Sequence, residues 1–440
     1  MDISAIESYP SQSLQTGVGV RRLRGVRWLL VAWVFVLSAV SYLDRVNISV
    51  GGKFIAQEYG LDPVRLGNVF SAFLLGYALF QAPGGRLADR FGPRAILTIA
   101  GIWWAIFTAL TGLVPSGGTF AFALLLSVRF ALGVGEAVVY PASNRFVSKW
   151  IPAAERGLAN GIIFAGVGVG AAVAPPFVTA LIQDHGWRVA FYGCALVGVV
   201  AAGIWWIVGR DTPGSHPWIT PGEVAVIGDP LPATVDDRPV AWSTIARSRS
   251  VRALTLGYAT FGYAAWIFFT WFFNYLNAVR GMNLKASGYY AMLPFVAMAI
   301  ASPLGGWVGD RLSVRYGARV GRRIVGAGGM LLAAGFIAIG VQVESAALAT
   351  VVLAGGAGGL YFSLSSFWSV SADLGGASAG AVSGLMNMGN QIAGVVTASL
   401  TPWLAVRFGW NLSFLVAAAL CAVGAAAWWW IEPAERLKPR

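Results

Sequence analysis

The sequence contains little charge and very few of the residues that build metal sites or disulfide frameworks. Only 11% of its 440 residues are charged, whereas a soluble globular chain carries about 25%. The two cysteines, Cys194 and Cys421, lie inside apolar runs and are expected to be small core residues. The two histidines, His185 and His216, lie in connecting segments without a ligand-like spacing. We therefore expect neither a soluble protein nor a metal site.

Two further classes of protein are disfavoured by what the sequence does not contain. It shows no nucleophile–base pair or metal cluster of the kind that an enzyme needs, so we predict that the protein is not an enzyme and has no cofactor. The formal net charge is +12, but no basic cluster with interleaved aromatic residues occurs. This distribution argues against nucleic acid as a partner.

Hydrophobic residues make up 57% of the chain and are concentrated in long runs. A membrane-spanning helix needs about 20 mostly apolar residues, whereas the strands of a membrane β-barrel are about ten residues long with alternating polarity. We predict an all-α membrane protein, a monomer in the lipid bilayer, with twelve transmembrane helices. The predicted spans are 28–49, 66–87, 95–114, 119–141, 157–182, 189–209, 251–277, 286–309, 323–341, 346–369, 378–401 and 409–431.

Lysine and arginine fall mainly on one side of these spans. The side that includes both termini carries 23 of them, against six on the opposite side. Because positive charge accumulates in the cytoplasmic loops of membrane proteins, we predict that both termini are cytoplasmic.

Four charged residues lie well within the predicted spans, and all are in the first half of the chain: Asp44, Arg45, Arg129 and Glu136. A charge at the bilayer centre costs at least about 2.5 kcal/mol, so such residues usually face a cavity and mark the path of an ion or substrate. Arg129 and Glu136 are seven residues apart and therefore share a helical face. An internal ion pair, of Arg129 with Glu136 or with Asp44, is the alternative interpretation.

The four residues suit different roles. Arginine stays protonated and can hold a carboxylate in a bidentate fork, which suits Arg45 and Arg129 to an anionic substrate. Glu136 has no adjacent base in the sequence and is the stronger candidate for a proton carrier. Asp44 has Arg45 as its neighbour and is the weaker candidate. The two neighbours point about 100° apart on a helix, so they need not share a partner.

A repeated pattern divides the chain near its middle. GGRLADRFG at 84–92 and GGWVGDRLS at 305–313 share GG-x4-DR at an offset of 221 residues. Two parallel six-helix halves, with a cytoplasmic loop between them, are typical of major facilitator transporters. We predict an N-terminal six-helix bundle at 1–209, an interdomain loop at 210–250 and a C-terminal six-helix bundle at 251–440.

The first copy of this pattern, GRLADRFGPR at 85–94, resembles the signature loop of the major facilitator superfamily. The resemblance implies a conformational latch between the halves. Its aspartate either caps a helix or pairs with an arginine of the opposing half. The latch residues are expected to be Gly85, Asp89 and Arg90, with Asp310 and Arg311 in the second copy.

Motifs over nearly the whole chain resemble the anion:cation symporter family. The most specific are SYLDRVNISV at 41–50 and RFALGVGEAVVYPASNRFVSKWIPAAERG at 129–157. FWSVSADL at 367–374 and LMNMGNQIAG at 385–394 are similar to that family as well. The Asp-Arg pair in the first span looks like the bacterial organic-acid branch, which includes the D-galactonate and hexuronate proton symporters. The resemblance therefore implies a multi-pass protein of the bacterial cytoplasmic (inner) membrane.

The same resemblance implies roles for individual residues and a proton as the coupling ion. The substrate carboxylate would contact Arg45 and Arg129, and the proton would be carried by Asp44 and Glu136. Tyr42 and Tyr77 would line the site.

The second half has no charge well within its spans, so it is expected to supply only neutral recognition. Asn387, Asn390 and Gln391 lie on one apolar helix, where they either bond to neighbouring helices or bind sugar hydroxyls. Aromatic residues there either pack or form an interfacial belt, or contact substrate. The further candidates are Trp266, Trp271, Asn274, Tyr275, Tyr361, Ser365 and Trp368. We expect Trp368, Asn387 and Asn390 to contact the substrate.

Together these features predict a secondary active transporter that takes up an organic anion with protons by alternating access. A sugar acid, meaning an aldonate, aldarate or uronate, is the predicted substrate. Within the fifth span, the stretch GIIFAGVGVGAAV at 161–173 has no hydrogen-bonding side chain, whereas sugar-acid members of the family can carry one there. This leaves an aromatic or short dicarboxylic acid as an alternative. A proton-coupled exporter of drugs or metabolites is a further alternative, which the paired arginines disfavour.

Overall fold

The computed structural model describes residues 25–61, 63–118, 120–228, 240–272, 275–282, 284–433 and 436–437. These residues form long helices joined by short connections. Most of the predicted cytoplasmic N-terminal segment, the middle of the 210–250 loop and the candidate Asn274 lie outside the described residues.

The first half of the chain folds into seven helices that cover six predicted spans. Glycines at positive φ separate two consecutive pairs: Gly92 and Gly186 both have a φ of 85°, a conformation that other residues adopt only with strain. The helices are α1 (Val26–Tyr59), α2 (Pro63–Phe91), α3 (Pro93–Leu113), α4 (Ala121–Glu136), α5 (Val139–Trp150), α6 (Arg156–His185) and α7 (Trp187–Val208).

The second half repeats this arrangement. Gly317 and Gly409, at the corresponding two turns, have φ values of 85° and 88°. A π-helix at Tyr275–Val279 follows the first long helix. Two short helices, α8 (Pro221–Ile227) and α9 (Trp242–Arg247), lie in the 210–250 connection. The helices of the second half are α10 (Arg249–Thr270), α11 (Leu284–Ala291), α12 (Leu293–Tyr316), α13 (Ala318–Gly340), α14 (Ala346–Gly375), α15 (Ala379–Phe408) and α16 (Trp410–Ala427).

The described residues contain ten stretches that are long and apolar enough to cross a membrane. One of these, Ala346–Ala398, includes α14 and most of α15, and α10 lies at the seventh predicted span. The helices therefore agree with the all-α, twelve-span prediction. Their outer faces are apolar, as in α3, where Ile99, Ile102 and Ile106 are exposed, and lipid can cover such a surface.

The fourth predicted span, 119–141, is broken rather than continuous. Helix α4 ends at Glu136, Ala137 and Val138 form a turn, and α5 begins at Val139. Pro141 has no backbone N–H, so it cannot donate to the carbonyl of Ala137 as a continuous helix would require. The turn places Glu136 at the end of α4, although Ala137 and Val138 keep right-handed helical dihedral angles.

The two halves meet where α2 packs on α15 and where α12 packs on α6. At both crossings, glycine lets two backbones touch. A Cβ atom on Gly85 would lie 1.9 Å from the carbonyl oxygen of Gly380, and one on Gly306 would lie 2.1 Å from that of Gly157. Small residues allow membrane helices to approach in this way. The division at residues 210–250 into two domains stays a prediction.

Candidate functional site

The charges inside the spans come together between α1 and α4, but not in the pairs that the sequence suggested. The Nε atom of Arg45 donates to the Oε2 atom of Glu136 at 2.8 Å. Ser41 donates to the same oxygen at 3.3 Å. The Glu136 side chain is fully buried, whereas the Arg45 side chain is 10% exposed. Glu136 thus pairs with Arg45 and not with Arg129, which was the partner in the alternative interpretation, because the turn of α1 that carries Arg45 faces the end of α4.

Asp44 and Arg129 lie deeper in the protein. The Oδ1 atom of Asp44 accepts a hydrogen bond from Asn47 at 3.3 Å, and its Oδ2 atom has no hydrogen-bond partner among the described residues. The guanidinium of Arg129 lies 5.2 Å from the ring centroid of Phe73, and its Nε and Nη1 atoms have no partner within the described chain. Arg129 interacts electrostatically with both Asp44 and Glu136. It therefore balances buried carboxylates, and it is not among the residues that line the central cavity described below.

Arg45 is covered by the rings of two tyrosines. Its Cζ atom lies 4.7 Å from the ring centroid of Tyr42 and 4.1 Å from that of Tyr77. A cation over an aromatic face at this distance is attracted to the ring. Both rings line a central cavity, so Arg45 stands directly behind its wall.

The central cavity is small, about 30 Å³, and is lined by both halves of the chain. Nine of its fifteen lining residues are aromatic, and none of the fifteen is charged. Three more are aliphatic: Val167, Ala265 and Leu364. The aromatic lining residues are Tyr42, Tyr77, Tyr140, Phe164, Tyr258, Phe261, Trp266, Phe269 and Tyr361.

The remaining three lining residues are the amides of α15. Asn387 donates to the Oε1 atom of Gln81 on α2 at 3.0 Å, and Asn390 donates to Asn387 at 3.2 Å. The Oδ1 atom of Asn390 and the Oε1 atom of Gln391 are buried without a partner among the described residues. One amide thus bonds to a neighbouring helix, and two keep acceptors for another group. Gln81 was not among the candidates selected from the sequence, although it is a strongly polar residue in the apolar run before Pro83.

Trp368 supports the cavity from behind and is not among its lining residues. Its indole N–H donates to the hydroxyl of Tyr258 at 2.9 Å. Of the other second-half candidates, Trp266 and Tyr361 line the cavity. Five aromatic lining residues were not among the candidates, because aromatic residues in apolar helices occur equally on lipid-facing and packed surfaces: Tyr140, Phe164, Tyr258, Phe261 and Phe269. Trp271, Tyr275 and Ser365 are absent from the lining.

The predicted latch residues Asp89 and Asp310 make equivalent contacts across the halves. Asp89 accepts hydrogen bonds from the backbone N–H groups of Gly380 and Ala381, both at 2.9 Å. Asp310 accepts from Gly157 at 2.9 Å and from Leu158 at 2.7 Å. Each carboxylate thus occupies the N-terminus of a helix in the opposite half, where anions are stabilised. Of the two sequence alternatives, the helix cap is the one that forms.

The arginines beside these aspartates are not those of the repeated pattern. Arg90 lies over Phe91 and Arg311 over Trp307, both on the surface. Arg322 contacts Asp310 at 2.7 Å, and Arg145 lies 3.6 Å from Asp89. Both were missed, because each belongs to the same half as its aspartate but to another helix.

Further contacts join the halves at the end of the bundle where α1 begins. Arg156 forms an ion pair with Asp373, and Asn144 donates to the hydroxyl of Ser371 at 2.9 Å. These contacts, with those of Asp89 and Asp310, close this end of the bundle beneath the cavity.

Comparison with known proteins identifies a matching family and several similar transporters. The profile of the Major Facilitator Superfamily matches residues 34–398 and 315–440. The probable sulfoacetate transporter of Cupriavidus necator is 34% identical over 92% of this chain and 94% of its own. The probable galactarate/D-glucarate transporter of Escherichia coli K12 is 32% identical over 87% of this chain and 88% of its own. Probable anion transporter 4 of rice chloroplasts is 32% identical over 91% of this chain and 68% of its own.

Two solved structures share the fold at low sequence identity. A proton:xylose symporter, XylE, bound to 6-bromo-6-deoxy-D-glucose gives a TM-score of 0.72 at 15% identity, over 91% of this chain and 95% of that one. The transporter FucP in the outward conformation gives a TM-score of 0.67 at 16% identity, over 92% and 98%.

Proposed function

Because this chain belongs to the Major Facilitator Superfamily, we propose that it imports a small organic anion together with protons by alternating access. Its relatives are transporters and not enzymes, and several of them carry anions, so the chain is a multi-pass secondary transporter of anions. We further propose that transport is coupled to protons, that its direction is uptake, and that the protein is a monomer in a bacterial inner membrane.

The ion pair between Arg45 and Glu136 carries this proposal. Glu136 forms an ion pair with the guanidinium group of Arg45, to which an incoming carboxylate would bind. This group lies just behind the rings of Tyr42 and Tyr77. An anion that binds Arg45 takes the arginine away from Glu136. A buried carboxylate without a partner is unfavourable, so Glu136 then takes up a proton. Anion and proton therefore enter the site together.

Asp44 and Arg129 are assigned supporting roles. Asp44 is fully buried with one unpaired oxygen, which suits a second proton site. Arg129 interacts with both carboxylates and offsets their charge when they are ionised. A direct contact between Arg129 and the substrate would require a rearrangement around Phe73.

Alternating access follows from the cross-half contacts. With the predicted orientation, the closed end of the bundle is the cytoplasmic one, so we propose that substrate enters from the opposite side. Release to the cytoplasm requires Asp89 and Asp310 to leave the helix N-termini that they cap. Because these contacts are hydrogen bonds to backbone groups, they can break and form again without covalent change.

The names of the relatives favour a sugar acid as substrate. They include probable carriers of galactarate, D-glucarate and L-galactonate, and Asn390 and Gln391 offer acceptors for hydroxyl groups. An aromatic acid is the second candidate, because nine of the fifteen lining residues are aromatic. A proton-coupled exporter is disfavoured by the position of Arg45, which suits an anion.

Replacement of Glu136 by Gln tests the coupling. In liposomes with an acidic exterior, the E136Q variant should lose uptake driven by the pH gradient and keep exchange of internal for external anion. Glu58→Gln is the matched control, since Glu58 pairs with Arg188 outside the spans. Unchanged gradient-driven uptake in the E136Q variant would refute Glu136 as the proton carrier.

A further inference from the structure

A groove lies on the surface where α6 of the first half meets α12 of the second, at the end of the bundle where α1 begins. Its volume is about 490 Å³. Seven of its ten lining residues belong to the last three turns of α12, and the other three, Ala154, Glu155 and Leu158, belong to the start of α6 and the short 3-10 helix before it. We call it the α6–α12 groove. Each half of the chain thus forms one of its walls.

The wall formed by α12 carries two arginines without an ionic partner. Arg311 and Arg315 are exposed and four residues apart, so they share a face of the helix. Neither forms an ion pair within the described part of the chain. Arg311 lies over the ring of Trp307 at 4.1 Å, and Arg315 lies over that of Tyr316 at 5.3 Å. Both guanidinium groups therefore remain open to an anion.

The two acids of the groove are already paired. Asp310 accepts hydrogen bonds from two backbone N–H groups of α6 and contacts Arg322 at 2.7 Å. Glu155 forms an ion pair with Arg27 at 3.0 Å. Because both carboxylates have their own cations, they do not offset the charge of the two exposed arginines. The α6–α12 groove therefore has a net positive charge.

The same face of α12 becomes apolar towards the middle of the helix. Trp307, Leu304 and Ile300 precede Arg311 at helical spacing, and their side chains are 42%, 50% and 57% exposed. Tryptophan is enriched at the level of lipid headgroups, and aliphatic residues on an outer face contact acyl chains. A face that is cationic at its end and apolar along its length matches a molecule with an anionic head and a long apolar chain.

The turn of α12 that carries Arg315 is an addition of the second half. Gly317 follows Asp310 by seven residues, whereas Gly92 follows Asp89 by three. Four residues are about one helical turn, so α12 continues one turn further beyond its aspartate than α2 does. The latch contact of the aspartates, which both halves share, does not explain this turn.

We infer that the α6–α12 groove binds an anionic phospholipid. Its phosphate group lies between Arg311 and Arg315, and an acyl chain lies along Trp307 and Leu304. The lipid touches both walls and therefore favours the arrangement in which α6 and α12 are packed together. The lipid site does not depend on the proposed function, whereas its effect on the two halves rests on the proposed alternating access.

Binding of lipid to the purified protein in detergent tests the site. The probes are phosphatidylglycerol, which is anionic, and the zwitterionic phosphatidylcholine and phosphatidylethanolamine, and bound lipid is counted by mass spectrometry of the intact complex. Phosphatidylglycerol should bind at least about tenfold more tightly than either zwitterionic lipid, because two arginines attract its net charge. Equal binding of phosphatidylglycerol and a zwitterionic lipid would overturn the inference.

Double variants locate the headgroup. Arg311→Gln with Arg315→Gln should remove the preference for phosphatidylglycerol, and Arg311→Lys with Arg315→Lys should keep it, since the charge remains. Arg247→Gln with Arg252→Gln is the matched control, because it removes the same charge from two exposed positions outside the groove. An equal loss of preference in the two glutamine double variants would show a general attraction to positive charge and contradict the assignment to the groove.

Labelling of a Ser371→Cys variant with maleimide measures the effect on the halves. Ser371 is buried between them, and the native cysteines are buried as well. Labelling should be about threefold slower in nanodiscs that contain phosphatidylglycerol than in phosphatidylcholine alone, and Arg311→Gln with Arg315→Gln should abolish this difference. An unchanged labelling rate would refute the effect on the halves.

Two further outcomes separate the possible explanations. Inorganic phosphate added to phosphatidylcholine nanodiscs should not slow labelling of the Ser371→Cys variant, and slower labelling would assign the groove to free phosphate and overturn the lipid site. Slower labelling with phosphatidylglycerol, in a protein that takes up no organic anion in liposomes, would contradict the proposed function and support the lipid site.

Discussion

The two halves of the molecule bring different chemistry to one cavity. The buried charges Asp44, Arg45, Arg129 and Glu136 all belong to the first half, whereas the second half supplies amides and most of the aromatic lining. The first half can therefore exchange one ionic partner for another, and the second can recognise the neutral part of a substrate. At the latch the halves are equivalent, with one aspartate from each on the other's helix. The contacts of Asp89 and Asp310 thus follow the symmetry of the fold, whereas the residues around the cavity do not.

The largest effect is expected where the first half meets the anion. Arg45→Lys keeps a positive charge but loses the fork and the stacking between Tyr42 and Tyr77, so uptake should fall at least about 100-fold. Arg129→Lys should lower uptake less, because Arg129 does not line the cavity. Uptake rates in liposomes measure both. Arg188→Lys, which alters an ion pair away from the cavity, serves as the control. An equal loss of uptake in the Arg45→Lys and Arg129→Lys variants would contradict the different roles assigned to the two arginines.

A smaller effect is expected from the second half. Gln391→Leu removes a hydrogen-bonding group from the cavity and should weaken substrate binding by about tenfold. The dependence of uptake on the pH gradient should not change, because the proposed proton carriers, Asp44 and Glu136, lie in the other half. Gln342→Leu, on an exposed glutamine in the turn after α13 that donates to the carbonyl of Ala338, is the control. An altered pH dependence in the Gln391→Leu variant would show that proton coupling is not confined to the first half.

The latch contacts should respond equally in both halves. Asp89→Asn and Asp310→Asn each weaken two charge-assisted hydrogen bonds to a helix N-terminus, which should shift the conformational equilibrium by about 1 kcal/mol, or roughly fivefold. Ser371→Cys reports opening, since Ser371 is buried between the halves and the native cysteines are buried as well. Maleimide should label that cysteine about fivefold faster in each aspartate variant. Faster labelling in only one of the two aspartate variants would show that the two contacts are not equivalent.

The smallest effect is expected for a first-half charge outside the spans. Burial opposes ionisation of Glu58, but hydrogen bonds from Arg188 and Trp187 outweigh it and lower the pKa of this carboxyl. A lowered pKa stabilises the folded state above the unfolded pKa, and this stabilisation is lost as the pH falls through the folded value. Glu58→Gln should therefore reduce stability by less than about 1 kcal/mol at pH 7 and leave uptake intact. Thermal unfolding at pH 7 and pH 3 measures this, and a difference that grows on acidification would contradict the sign.

The sequence was sufficient to predict the all-α fold, the spans and the four charges within the spans, because length, hydropathy and charge placement act locally along the chain. It did not predict that Arg45 pairs with Glu136, since the two are 91 residues apart and helical spacing pointed to Arg129. The break after Glu136 could have been read from Pro141. The aromatic lining of the cavity could not be predicted, because the faces that Phe164 and Phe261 present depend on how the helices rotate against each other.

The exchange of Glu136 for a substrate carboxylate at Arg45 is tested most directly by counting protons during binding. Anion added to the purified protein in weakly buffered solution near pH 7 should cause uptake of about one proton per anion bound, seen with a pH-sensitive dye. The E136Q variant should bind the anion without this proton uptake. Anion binding by the native protein without proton uptake, or the same uptake in the E136Q variant, would contradict the account.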